Sequence, residues 1–319
     1  HQMQTQGLLP NKHTFLHILA ACAGHNAISK GKLMHALTLS TGLVSDLVLE
    51  CAIVNMYGKC GDVYEARKMF NSMSDHNVIS WNAMISAYAQ QGQSSNALVL
   101  FWKMLQQGFE PSKVTFVSLL DACASDLMID EAMLMHAYIA SSSFEADSVV
   151  GTSLVNIYGK CGMVNDALMV FEMMSERNVI CWNAIIASYA NGSGKDVDML
   201  MKLYVEMQEE CFLPDKVTFI SVLHGCANPS FLYEGRKLHA RFISCEEIKK
   251  DIIFYTALVD MYGKCGSLEE AEDIFNQIEE QNIVSWTALI SVCAHHGDEK
   301  KSHHLYKQMH QEGVYSHKS

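Results

Sequence analysis

The string Tyr57-Gly58-Lys59-Cys60-Gly61 returns as Tyr158-Gly159-Lys160-Cys161-Gly162 and again as Tyr262-Gly263-Lys264-Cys265-Gly266, in steps of 101 (57 to 158) and 104 (158 to 262) residues. Trp81, Trp182 and Trp286 keep the same steps, each inside a segment like Ile79-Ser80-Trp81-Asn82-Ala83-Met84-Ile85. Ala21-Cys22-Ala23, Ala122-Cys123-Ala124 and Gly225-Cys226-Ala227 recur at 101 and 103. Three unrelated strings on one period exclude coincidence, and a fixed period marks a repeat array. At 319 residues the chain is also long for one compact core, which leaves two domains or such an array.

Each superperiod divides into three similar units. Boundaries just after the turn residues give units 12–46, 47–77 and 78–112, then 113–147, 148–178 and 179–215, then 216–251, 252–282 and 283–317. Their lengths run 35, 31, 35; 35, 31, 37; 36, 31, 35. Residues 1–11 read as the tail of a tenth, truncated unit. Within 148–178, Leu154, Val155 and Tyr158 make one apolar helical stripe, and Gly159 and Gly162 are expected to bracket the stop of that helix. Val164, Ala167, Leu168, Phe171 and Met174 make a second stripe on a second helix. Neither short helix can hide its stripe alone, so neighbouring hairpins must stack into an all-α solenoid. The 19 Met suit such an array, because a flexible thioether fills gaps between unequal repeats.

Composition narrows the function classes. No stretch approaches 18 uninterrupted apolar residues, so no membrane span is expected. The 11 Cys are odd in number and none lies in C-x-x-C spacing, which disfavours zinc knuckles and a disulfide framework. Reduced thiols in an intracellular or organellar compartment are the simpler account. The net charge of −12 weighs against nucleic-acid binding, since phosphate contacts usually dominate affinity, although a basic stripe can sit on an acidic body. The start at His1, without Met, signal peptide or transit peptide, reads as that of a mature or excised piece.

Helical hairpins of this length fit two families. The tetratricopeptide pattern keeps a constant 34-residue unit. The alternation of lengths here, with Val-Ile-Ser-Trp-Asn-Ala-Met-Ile at 78–85, Val-Asn-Ile-Tyr-Gly-Lys-Cys-Gly at 155–162 and Lys-Val-Thr-Phe-Val-Ser-Leu-Leu at 113–120, resembles instead the pentatricopeptide-repeat family. The resemblance covers essentially the whole chain. It points to the subclass in which long, short and standard motifs alternate, here long at 12–46, short at 47–77, standard at 78–112, and so on. It implies a right-handed α-solenoid superhelix of helix-turn-helix repeats that binds one RNA strand, about one base per repeat. It also implies two base-reading side chains per unit, one early on the first helix and one at the unit's last residue. A small apolar residue near each unit's start would sandwich the base.

Carried onto this chain, the resemblance gives Asn82 with Ser112 for a pyrimidine and Asn183 with Asp215 for uracil. Thr152 with Asn178 and Thr256 with Asn282 would each read adenine, because hydroxyl and amide groups offer different donor and acceptor patterns. The sandwiching positions are Val48, Ile79, Val149, Ile180, Ile253 and Val284. Several units depart from the pattern. Cys51 stands beside Asn77, and a thiol reads bases poorly; Thr287 pairs with His317; Leu16, Val117 and Ile220 replace the polar reader in the long units, which are expected to space rather than specify. The implied order, 5′ to 3′, is pyrimidine, any, A, U, any, A.

Other candidates have plainer readings. Lys59, Lys160 and Lys264 recur at the end of a first helix; the resemblance makes them a phosphate ladder, and the alternative is a cation placed for the helix dipole. Acids such as Glu269, Glu270, Glu272 and Asp273 are expected on outward faces of second helices. The three tryptophans could stack on bases, but their place in apolar stripes favours packing between repeats. Cys60, Cys161 and Cys265, far apart in a solenoid, read as small buried residues. His295, His296, His303 and His304 read as surface rather than metal ligands. His310-Gln311-Glu312 matches half of the deaminase signature, without its C-x-x-C.

The chain is therefore expected to be no enzyme, to need no cofactor or metal, and to bind neither DNA nor a membrane. The leading expectation is a sequence-selective RNA-binding module in the mitochondrion, or alternatively the plastid, directing C-to-U editing or another processing step with editing proteins. A catalytic domain beyond Ser319, or a partner, would supply any chemistry. The rival is a structural subunit of an organellar ribonucleoprotein, beside ribosomal proteins.

Overall fold

The computed structural model describes residues 10–43, 46–192, 196–242 and 251–314. Most of the truncated unit 1–11, and His317, lie outside the described residues. Among these there are eighteen α-helices, one short 3₁₀ turn (Pro229–Phe231) and no strand. The chain forms two compact parts, His1–Ile157 and Tyr158–Ser319, each taken here by itself.

In the first part the helices are α1 (Lys12–Gly24), α2 (Ile28–Ser40), α3 (Leu47–Lys59), α4 (Val63–Ser72), α5 (Val78–Gln90), α6 (Ser94–Gln106), α7 (Lys113–Asp126) and α8 (Ile129–Ala140). α9 (Ser148–Lys160) runs from the first part into the second. The second part continues with α10 (Val164–Met173), α11 (Val179–Asn191), α12 (Val197–Glu209), α13 (Lys216–Gly225), α14 (Leu232–Phe242), α15 (Ile252–Lys264), α16 (Leu268–Asn276), α17 (Ile283–His295) and α18 (Glu299–Gln311). Odd-numbered helices open a hairpin and even-numbered ones close it.

First helices stack on first helices: α1 on α3, α3 on α5 and α5 on α7, then α11 on α13, α13 on α15 and α15 on α17. Second helices sit behind them, as α4 does on both α3 and α5. Two stripes on short helices are hidden this way, each by its neighbours.

Every first helix opens the same way. A polar residue caps it, and Asn77, Ser112, Asp215 and Asn282 form reciprocal capping boxes with Ser80, Thr115, Thr218 and Ser285. Those four third residues are fully buried. The fourth residue points inward, and Trp81, Trp182 and Trp286 occupy it with at most 2% of their surface exposed. Each tryptophan meets Phe70, Phe171 or Phe275 edge-to-face, at 5.0, 4.7 and 4.8 Å between ring centroids. They are packing residues.

The recurrent Tyr-Gly-Lys-Cys-Gly string closes the first helix, but its two glycines do different jobs. Gly162 takes a left-handed φ of 75° just past the helix, as expected. The helix stops at Lys160, between the two glycines as expected, and Gly159 lies in its last turn, where a Cβ would come within 2.0 Å of Ser188 Oγ on α11. Gly58 faces Ala87 Cβ at 2.6 Å and Gly263 faces Val292 Cγ2 at 2.1 Å in the same way. The inner glycine sets how closely successive first helices approach. Val292 is β-branched and cannot swing aside. Gly263→Ala is therefore expected to cost about 1–3 kcal/mol, read as a lower denaturant midpoint; an unchanged midpoint would show that α15 and α17 separate freely.

The two cysteine strings turn out to be partners. Cys60 Sγ donates to the Cys22 carbonyl at 3.6 Å, and Cys265 Sγ donates to the Cys226 and Asn228 carbonyls at 3.3 and 3.1 Å. Burial raises these thiols, Cys226 to about 12, so they stay protonated donors. Two of the acids expected to face outward instead tie hairpins together: Glu270 accepts from Arg236 at 2.8 Å, and Glu272 pairs with Lys301. Their partners lie on α14 and α18, beyond what spacing within α16 reveals.

His35 shares a 2.9 Å hydrogen bond with the Tyr57 hydroxyl, and His239 shares one of 2.8 Å with Tyr262. Burial is the main cause that lowers both imidazoles below their ordinary value. A lowered histidine favours the folded state while neutral, so its contribution is complete above about pH 6.5 and lost as pH falls through that value. The lowered carboxyls Asp46, Asp62, Asp147, Asp251 and Glu270 act only near and below pH 4. Tm should thus fall between pH 7 and pH 5. The double variant His35→Asn/His239→Asn should flatten that fall; an equal slope would assign it elsewhere.

Candidate nucleic-acid interface

Helical geometry puts residues 2, 5, 9 and 13 of each first helix along one stripe, three or four residues apart. In α3 these are Val48, Cys51, Asn55 and Lys59; in α5 they are Ile79, Asn82, Ser86 and Gln90. Together with Leu16, Asn77 and Val114, they line one depression of about 550 Å³ in the first part. Positions expected from the sequence to sandwich, to read and to touch phosphate thus share one surface there. Asn55, Ser86 and Gln90 were not anticipated, although their place on the same stripe was available as a signal. In the second part, Asp260 and Lys264 of α15 and Ser291 and His295 of α17 line the equivalent end of the stripe, around about 340 Å³.

The second residue of the first helix is an aliphatic β-branched side chain in eight of nine hairpins. Val48, Ile79, Val114, Val149, Ile180, Val217, Ile253 and Val284 are 47–69% exposed. A single exposed valine needs no explanation, but eight at one register do. No packing within the fold accounts for them. Val114 and Val217 belong to units that the sequence suggested only as spacers.

Polar groups stand one turn further on. Asn82 Nδ2 donates to Ser112 Oγ at 2.8 Å, while Asn82 Oδ1 accepts from Thr115 Oγ1 at 2.6 Å. Asn183 Nδ2 reaches both oxygens of Asp215, at 3.0 and 3.1 Å, and Asn183 Oδ1 accepts from Thr218 Oγ1 at 2.5 Å. Both pairs drawn from the sequence are therefore in direct contact. Cys51 Sγ likewise donates to Asn77 Oδ1 at 3.5 Å, although Cys51 is buried.

Threonine positions behave differently. Thr152, Thr256 and Thr287 each donate back to the carbonyl four residues earlier, Ser148, Ile252 and Ile283, at 2.6–2.7 Å. For Thr256 and Thr287 these bonds turn the lone pairs of the hydroxyl toward any incoming group.

In the eight units from 12–46 to 252–282 the last residue is also the N-cap of the next first helix, a second duty that spacing alone did not reveal. Asn178 Oδ1 accepts from Ile180 and Cys181 N–H at 2.9 and 3.1 Å, and Asn282 Oδ1 from Val284 and Ser285 N–H at 2.9 and 3.0 Å. Capping consumes the amide oxygen of Asn282 and leaves its NH₂ as the group on offer.

The lysine ladder is uneven. Lys59 and Lys160 have no carboxylate partner among the described residues, whereas Lys264 binds Asp260 at 2.6 Å, one turn back on its own helix. Asn55 and Asn156 stand where Asp260 does, which is why only the third lysine is held. His295 and His296 turn Nδ1 to the carbonyls of Ser291 and Val292, and His303, His304 and His310 are exposed.

Comparison with known proteins bears on this arrangement. The family model described as PPR repeat matches residues 51–78, 114–141, 152–179, 253–283 and 284–314, and that described as PPR repeat family matches 76–125 and 177–228. Among curated relatives from Arabidopsis thaliana, pentatricopeptide repeat-containing protein At2g33680 is 33% identical over 86% of this chain, which covers 37% of the relative. At4g35130, chloroplastic, is 34% identical over 88% of the chain and 34% of the relative. At3g24000, mitochondrial, is 31% identical over 84% of the chain and 42% of the relative. The chain thus spans well under half the length of these relatives. The crystal structure of the pentatricopeptide repeat protein PPR10 in complex with an 18-nt psaJ RNA element superposes with a TM-score of 0.86 at 19% identity, over 98% of this chain and 47% of that one. PPR10 from maize, in a separate crystal structure, gives 0.52 at 15% identity, over 99% of this chain and 56% of that one. The fold is an all-helical repeat solenoid, and the chain belongs to the pentatricopeptide-repeat family.

Proposed function

We propose that this chain is a single-stranded RNA-binding module, with bases held between the exposed β-branched residues of successive first helices. The observation that carries the reading is the register: an exposed aliphatic side chain at position 2, with a polar side chain one turn beyond at position 5 in five of the nine hairpins and a cap residue beside it. A flat base covers apolar surface with its faces and meets hydrogen-bonding groups with its edge. The complex of PPR10 with RNA supports the same assignment by analogy.

Chemistry at the pairs then gives the bases. Asp215 offers a carboxylate acceptor, which suits the N3–H of uracil. Thr256 offers lone pairs and Asn282 an NH₂, matching the N6 donor and N1 acceptor of adenine. Asn82 with Ser112 suits a pyrimidine. The alternating unit lengths support the long, short and standard subclass, and with it a role in C-to-U editing or another processing step in the mitochondrion or plastid. Relatives named mitochondrial and chloroplastic are consistent with either organelle. The second reading, a structural ribonucleoprotein subunit, is favoured by the net charge of −12.

A gel shift separates the two. A probe of order pyrimidine-N-A-U-N-A is expected to bind at least about tenfold tighter than one with its A and U positions exchanged, since one good base contact is worth roughly that factor. Equal affinity defeats selectivity and leaves the structural reading; no binding to either probe at low salt defeats RNA binding.

A further inference from the structure

Three ion pairs recur with the superperiod and join successive first helices. Lys12 Nζ meets Asp46 Oδ2 at 2.7 Å, Lys113 meets Asp147 at 2.6 Å, and Lys216 meets Asp251 at 2.5 Å. Each lysine is the first residue of its helix, beside the position-2 residue. Each aspartate is the last residue of the same unit, where a second reader is expected. Its other oxygen, Oδ1, caps the next helix: Asp46 accepts from Val48 and Leu49, Asp147 from Val149 and Val150, and Asp251 from Ile253 and Phe254, all at 2.9–3.2 Å. Both oxygens of every one of these carboxylates are engaged.

Asp215 provides the contrast. It is also a cap, but among the described residues no lysine lies on it, and its Oδ2 accepts there from Asn183 alone. The first residue of the helix one unit earlier, α11, is Val179, where Lys12, Lys113 and Lys216 stand in the clamped units. The reader opposite each clamped aspartate is Leu16, Val117 or Ile220, which has no hydrogen-bonding group to add.

We propose that Lys12, Lys113 and Lys216 are specificity-determining residues that make their units blind to base identity by clamping the aspartate that would otherwise read the base edge. The proposal deepens the RNA-binding reading and rests on it. An unclamped carboxylate, its Oδ1 still capping, would offer Oδ2 to the ring N–H of uracil or guanine, as Asp215 does for uracil, whereas the ring nitrogens on the edges of adenine and cytosine are acceptors. Occupied by an ammonium, it meets every base alike. In units 113–147 and 216–251 the lysine stem meanwhile leaves the apolar position-2 residue, Val114 or Val217, free to stack, so the unit holds a base without choosing it.

The experiment uses the whole chain and four probes, pyrimidine-N-A-U-N-A, that differ only at the first N, opposite unit 113–147. The wild-type chain should bind all four within about twofold. Lys113→Met, which keeps the stem and removes the charge, should prefer uracil and guanine over adenine and cytosine by about tenfold, the worth of one charge-assisted hydrogen bond. Lys113→Met/Asp147→Asn keeps the cap and should lose that preference. Discrimination by the wild type, or none by Lys113→Met, overturns the proposal. If the wild type binds no probe, the RNA-binding reading has failed, and the clamp is then judged alone by the Asp147 carboxyl titration in NMR. Burial opposes its lowering, while the Lys113 hydrogen bond and the two cap N–H groups produce it. The titration should rise in Lys113→Met, and an unmoved one overturns the clamp.

Discussion

Replacing Ile180 and Val217 together by aspartate is expected to leave the helices intact and to weaken binding of the pyrimidine-N-A-U-N-A probe about 10- to 100-fold. Both side chains are more than half exposed, so little packing is lost. Each sits at the second position of its helix, where an acid suits the helix dipole. Circular dichroism and Tm should therefore match the wild type. The loss is expected in the bound state alone: covering an exposed Val or Ile side chain is worth up to about 1.5–3 kcal/mol, and carboxylates near the phosphates add repulsion. Unchanged affinity would remove the sandwiching role from this face.

Trp182→Ala should behave in the opposite way. The indole is buried against Phe171, and the Arg177 guanidinium lies over the Phe171 ring at 4.6 Å and over Trp182 at 5.8 Å. Truncation leaves a cavity and an unpacked ring, at a cost of about 3–5 kcal/mol. Urea unfolding followed by circular dichroism should show the lower midpoint, and Trp182→Phe should recover part of it. Were Trp182 a stacking platform for bases, the alanine variant would fold normally and lose only RNA affinity.

These two variants mark what the sequence makes legible. The inward tryptophans and the outward position-2 residues are two positions apart on the same helix, and period alone separates them once the repeat is found. Asn82 with Ser112 and Asn183 with Asp215 were pairable by resemblance, and the hydrogen bonds between them follow from hairpin stacking. What stayed hidden depends on contacts between residues 29 to 38 apart in the sequence. The Lys113–Asp147 pair joins positions 34 apart, and nothing in local propensity marks it. Gly159 is legible as a glycine beside the helix stop; its close approach to Ser188 appears only when two helices are side by side. Cys60 with Cys22 is a similar case, in which two separately visible repeats are halves of one contact.

Charge remains the sharpest test of the account, because an acidic chain that binds RNA must rely on something other than phosphate neutralisation. Among the described residues Lys59 and Lys160 have no carboxylate partner, while Lys264 is held by Asp260 and the first-position lysines by their aspartates. Of the described lysines on the first helices, two or three are thus available to the backbone. Affinity for the pyrimidine-N-A-U-N-A probe, measured across a series of salt concentrations, should therefore fall with a log–log slope of about −1.4 to −2, from roughly −0.7 per phosphate on single strands. A slope of about −5 or steeper, or no binding at the lowest salt, would contradict the claim that the apolar and polar stripe of the first helices holds the strand.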